Sequence, residues 1–181
     1  MLSRRQLLLT TFIASLAQAK TALPGDVAGE LPDARRLGSG RMTWFGLHVY
    51  DAHLWVVDGF DPLRYDAAAL ALELEYARSF SGRRITERSI EEMRRTGPIP
   101  AAQAEAWQAR MTRIFPDVNK SDRLVGVHKP GVAARFLHNG QPIGELRDAD
   151  FARRFFGIWL APETSEPTLR RALLGEKSGS A

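Results

Sequence analysis

The chain has 181 residues, with 25 basic side chains against 21 acidic ones, 44% apolar content and no cysteine. That length suits one domain with a sizeable core, and the absence of cysteine excludes disulfides, thiol nucleophiles and a lipidated cysteine anchor. Arg4 and Arg5 precede residue 20, which leaves 23 cations against 21 anions from residue 20 onward; so even a balance, with no basic cluster, argues against a nucleic-acid partner.

Arg4 and Arg5 stand ahead of an apolar run from Leu7 to Leu16, and Ala17-Gln18-Ala19 follows with small residues at alternate positions. This is the pattern of a cleavable export signal, with cleavage after Ala19. The run is about half of the ~20 residues needed to span hydrocarbon, so no stable membrane anchor is expected. Ser3-Arg4-Arg5-Gln6-Leu7-Leu8 also fits a twin-arginine signal, so Sec and Tat export both stay open, with the periplasm as the destination. The expected organisation is a signal peptide over 1–19, a linker over 20–30, a domain over 31–175 and a flexible tail over 176–181.

From Arg41 to Val57 the residues are β-branched and aromatic, and from Tyr50 they alternate, which predicts a strand. Leu70, Leu72, Leu74 and Tyr76 alternate with Glu73 and Glu75, predicting a second strand with one buried and one wet face. Ser81 to Thr96 reads as a helix with a mixed Arg/Glu surface, closed by Gly97-Pro98. Pro100 opens another, with Ala104, Trp107, Met111 and Ile114 on one face. A hairpin over Leu124–His128 and Ala133–His138 leads through an Asn139-Gly140 turn into Ile143–Leu146. Asp148 caps a helix reaching Trp159, and Pro167 starts a last helix ended by Gly175. Strands, paired helices, strands and helices in that order describe an α+β domain with an antiparallel sheet covered on one face.

The order of several segments resembles the chalcone isomerase-like family, in its bacterial periplasmic branch. Leu37-Gly38-Ser39-Gly40-Arg41 and Val49-Tyr50-Asp51-Ala52-His53-Leu54-Trp55 look like its glycine-rich loop and long strand. Leu72 to Arg78, Ser89 to Met93, Phe115-Pro116-Asp117-Val118, Phe136 to Gly140, Phe155 to Leu160 and Thr164 to Pro167 follow in the family's order. The resemblance implies an open-faced β-sandwich, an antiparallel sheet with helices packed on one face and a ligand cleft between. Its members include plant enzymes that cyclise chalcones, relatives that bind fatty acids, and bacterial proteins whose role the fold does not define.

In the plant enzymes an arginine beside the glycine loop, Thr and Tyr hydroxyls, and Lys and Asn from the next helix form the site. Here Arg41 comes one residue early and Met42 takes the arginine's place, and a one-residue slip reverses the sheet face. Tyr50 falls near the family threonine; it also reads as a core tyrosine with one hydrogen bond. Between Val57 and Val118 there is no lysine and no asparagine, so the plant catalytic set cannot be carried over and the catalytic residues, if any, are unknown. His48, His53, His128 and His138 lack zinc-site spacing, so no metal and no cofactor is expected. The resemblance therefore implies a non-catalytic protein whose partner is a small amphiphile, a fatty acid or polyphenol-like molecule, with Arg41, Tyr50, Tyr76 and Arg78 as ligand-binding candidates. A chalcone isomerase-type intramolecular lyase and a periplasmic scaffold with a filled core are the alternatives.

Overall fold

The computed structural model describes residues 22–176; the expected signal peptide and the end of the tail lie outside them. Six strands, β1 (Arg35–Trp44), β2 (Leu47–Val56), β3 (Leu70–Tyr76), β4 (Arg123–Lys129), β5 (Ala133–His138) and β6 (Gln141–Arg147), form one antiparallel sheet in sequential order. Helices α2 (Gly82–Met93) and α3 (Ala101–Ile114) interrupt the strands between β3 and β4, and α4 (Ala149–Leu160) and α5 (Pro167–Leu173) follow β6. All four pack on the same side, where Leu54, Leu72, Trp107, Met111, Phe151 and Phe156 belong to the main core.

The helix boundaries follow from local chemistry. The Ser81 hydroxyl accepts from the Arg84 amide at 3.3 Å and opens α2. Asp148 opens α4, taking the Phe151 amide at 3.0 Å on one oxygen and the Trp107 indole at 2.9 Å on the other, which ties α3 to α4. The Asn139-Gly140 turn has both residues at positive φ, as a two-residue hairpin turn requires.

Three expectations are corrected. The single strand expected from Arg41 to Val57 is a hairpin, because Phe45 and Gly46 both take positive φ, 47° and 75°, and reverse the chain. A phenylalanine in the left-handed region costs on the order of 1–2 kcal/mol, which is why the sequence did not signal a turn there. The outer face of β3 is not wet along its length: Ala71 is 0% and Glu73 5% exposed.

The third correction explains the second. Residues 25–30, inside the segment expected to be a linker, form helix α1 (Gly25–Glu30) and lie across the outer face. Val27 and Leu31 there join Trp55, Ala71, Val125, Val127 and Leu137 in a second, smaller core. Under this strap the Glu73 carboxylate accepts from the Trp55 indole at 2.9 Å and Arg123 Nε at 2.7 Å. Arg123 also reaches Asp26 of the strap at 3.3 Å, and Arg135 pairs with Glu30 at 3.0 Å. A buried carboxylate persists only when its oxygens are met in this way.

Val27→Ala tests the strap. It removes two methyl carbons from a fully buried position and should lower the unfolding free energy by about 2 kcal/mol in urea denaturation; no change in the midpoint would mean that the strap is undocked in solution.

Candidate functional site

The side of the sheet that meets the helices is set at its β1 edge by glycine. A Cβ at Gly38 would stand 2.2 Å from the Ala172 carbonyl oxygen of α5, and one at Gly40 2.7 Å from Leu169 Cδ1. Positions 38 and 40 must therefore face α5, and alternation then turns Met42 inward and Arg41 outward. Met42 is partly buried against the main core. Arg41 is exposed on the other side, with Nε 2.9 Å from Asp51 Oδ1, and His48 approaches the second Asp51 oxygen at 3.2 Å. Burial alone would raise the Asp51 carboxyl, but the Arg41 hydrogen bond and the neighbouring His48 overrule it and hold it below the usual carboxylate range.

Register brings two of the four candidates together. Tyr50 of β2 pairs directly with Tyr76 of β3, and their rings meet edge-on at 5.8 Å. Phe80 packs on Tyr76, also at 5.8 Å. From α4, the Trp159 indole donates to the Tyr50 hydroxyl at 3.0 Å. Arg78 lies two residues beyond Tyr76. It is exposed on the loop after β3, at the rim of an open depression of about 360 Å³ that Tyr76, His48, Asp51, Glu75 and Lys120 also line.

Burial is the main reason that the Tyr50 hydroxyl stays above its ordinary pKa; the Trp159 bond opposes the shift, and the charges of Glu166 and Glu92 add to it. Burial likewise raises Tyr76, with Tyr50 adding to it. Both are neutral phenols at physiological pH. Tyr50 accepts a bond but donates none to the described residues, and Tyr76 makes no side-chain hydrogen bond among them. Both O–H groups, that of the partly buried Tyr50 and that of the buried Tyr76, thus keep an unused donor among the described residues.

Beside the pair lies a polar cluster that the sequence did not reveal. Glu92, read as part of a solvated helix surface, is 7% exposed. It takes Arg88 at 2.6 Å, the Ser165 hydroxyl at 2.8 Å and Arg95 at 3.7 Å. Glu166 is pushed above the usual carboxylate range, first by burial and then by the charge of Glu92. On the same helix the Thr86 hydroxyl is buried without a partner among the described residues. Elsewhere the layer is filled by rings: Phe136 lies 4.9 Å from Phe115 and 5.1 Å from Phe155, and Phe155 lies 5.5 Å from Trp159. Among the described residues no three His, Asp or Glu side chains are grouped to hold a metal.

An open antiparallel sheet with helices on one face and phenol hydroxyls in the layer between defines an open-faced β-sandwich. The chain belongs to the chalcone isomerase-like family, whose sequence profile matches residues 38–175. It is 28% identical over 140 residues to an uncharacterized protein of Haemophilus influenzae, across 77% of this chain and 67% of that one. A fatty-acid binding protein of Arabidopsis thaliana shares the fold, with a TM-score of 0.61 at 12% identity, over 79% of this chain and 87% of that one.

The tyrosines supply a direct test. The chain has three, and burial raises all of them from 10.0, Tyr65 to about 12 and the other two further. An acid whose folded pKa is raised contributes stability that is present below its unfolded value and lost as pH rises through the folded one. In a phenolate absorbance titration none of the three should ionise near pH 10, and ionisation should coincide with alkaline loss of near-UV circular dichroism. A hydroxyl that titrates reversibly near 10 in the folded protein would contradict the burial of this pair.

Proposed function

We propose that the chain is a non-catalytic chalcone isomerase-like protein that takes a fatty acid or similar amphiphile between sheet and helices. Export to the periplasm after loss of residues 1–19 belongs to the same reading. The observation that carries it is the Tyr50–Tyr76 pair: a partly buried and a buried phenol with unused donors stand in the layer, while Arg41 stands outside it. The family, and a relative in fold that is a fatty-acid binding protein, support the choice of ligand class.

A phenol donating to a carboxylate makes a charge-assisted bond of about 1.5–3 kcal/mol, and each methylene taken from water adds roughly 0.8 kcal/mol. Aromatic rings occupy the layer of the free protein. A tail therefore displaces ring contacts, and its net gain per methylene falls below that figure. The anchor fixes orientation, and the tail sets affinity.

The same packed rings favour a second reading, a domain with a filled interior that works through its surface. Calorimetric titration of a chain beginning at Lys20 with saturated fatty acids of increasing length separates the two. Four added carbons should tighten binding by at least about tenfold, allowing for the displaced contacts. Affinity independent of length would leave the filled domain in place. Export is read by intact mass: protein recovered from the periplasm should begin at Lys20, and full-length protein retained in the membrane fraction would contradict it.

A further inference from the structure

The loop between α4 and α5 folds back over the last turn of α4, where Trp159 donates to the Tyr50 hydroxyl. Thr164 does the folding. Its hydroxyl donates to the Ile158 carbonyl at 2.6 Å and accepts from the Glu166 amide at 3.2 Å. Between the two, Ser165 donates to Glu92 of α2 at 2.8 Å. Glu166 is thereby held, half-buried, beside Glu92 and the Trp159 end of α4.

The charged groups around Glu166 are already engaged elsewhere. On α2, Glu92 has one oxygen 2.6 Å from Arg88 and the other bonded to Ser165. Arg88 also pairs with Glu91, and its side chain is 59% exposed. Arg95, just after α2, is divided between Glu92 and the Glu163 carbonyl. On α5, Arg170 donates to the Leu160 carbonyl at 2.8 Å. From β2 comes Tyr50, a neutral phenol that feels the charges of Glu166, Glu92 and Arg88. Glu166 itself enters no ion pair among the described residues, and its side chain caps no amide of α5. It is a partly desolvated carboxylate without a counter-ion, next to one that has two.

We propose that Glu166 is the proton switch of the ligand site: ionised while the layer is empty, it takes up a proton from solvent when an acyl carboxylate comes to the Tyr50 hydroxyl. The inference rests on the ligand reading above and adds the group that answers the ligand's charge. A carboxylate at Tyr50 enters the field of Glu166 and Glu92, and the cation beside them, Arg88, is already matched to Glu92. Like charges in a partly dry layer repel strongly, and the repulsion falls when one of them is neutralised. Glu92 is the wrong group to neutralise, because Arg88 and Ser165 both favour its charged form. Glu166 has no such partner. The sign follows from linkage: a ligand that raises the proton affinity of Glu166 is itself bound more tightly once the proton is on. Affinity for an anion therefore rises as pH falls through the interval between the pKa of Glu166 in the empty and in the occupied protein, and is level on either side.

The test is calorimetric titration of a chain beginning at Lys20 with two probes of equal tail length, each below its aggregation limit. Decyl sulfonate keeps its negative charge from about pH 8 to about pH 5, so any proton taken up belongs to the protein, and decanol carries no charge at either pH. The sulfonate should bind at least about fivefold more tightly at the lower pH, and decanol equally at both. Glu166→Gln keeps the side chain's size and removes no contact among the described residues. That variant should bind the sulfonate equally at both pH values, with the affinity that the unaltered chain reaches at the lower one. A sulfonate affinity that ignores pH, or that changes as much in Glu166→Gln, would overturn the proposal and leave the ligand reading standing. Failure of both probes to bind would overturn the two together.

Discussion

The closeness of α5 to β1 is the constraint from which the geometry of the inner layer follows. A side chain at position 38 would run into backbone carbonyls of the helix, which cannot move aside as a flexible side chain can. With residues 38 and 40 held against α5, every later residue of β1 has its face assigned. Through the pairing of Met42 with Tyr50, and of Tyr50 with Tyr76, the assignment passes to β2 and β3. It puts a cation into solvent and two phenols into the layer. The inner face of the sheet is therefore apolar and weakly polar there, and the charges beside it, Glu92 with Arg88, come from α2.

The outer face obeys a different rule. There the sheet carries Trp55, Ala71, Val125, Val127 and Leu137, an apolar patch that the strap of α1 closes. Its polar border is a set of carboxylates matched to Arg123 and Arg135. The sheet is thus covered on both sides over its middle. It is bare at the hairpin tip, where the exposed aromatics gather.

Much of this was legible in the sequence because it is local. Ser81, Asp148 and Pro167 mark helix starts, Asn139-Gly140 marks a turn, and the alternation along β2 and β3 picks out the residues that face the main core, though not the buried ones on the opposite face. What escaped is either atypical or distant. Phe45 is not a turn former, and α1 is one short helix without a side-chain cap. The burial of Glu73 depends on Arg123, 50 residues away, and that of Glu92 on Ser165, 73 residues away. No window of sequence contains both partners. For Arg41 the one-residue offset from the family pattern was visible, and the glycine contacts with α5 supply its cause.

The central claim is that any acyl carboxylate held in this layer is held by phenol hydroxyls and not by Arg41. The most direct measurement is the affinity of one saturated sixteen-carbon fatty acid for Tyr76→Phe and for Arg41→Ala, each against the unaltered chain. Phenol anchoring predicts that Tyr76→Phe weakens binding by about tenfold, the worth of one charge-assisted hydrogen bond, while Arg41→Ala stays within about twofold. The reverse order, with Arg41→Ala the costly change, would contradict it.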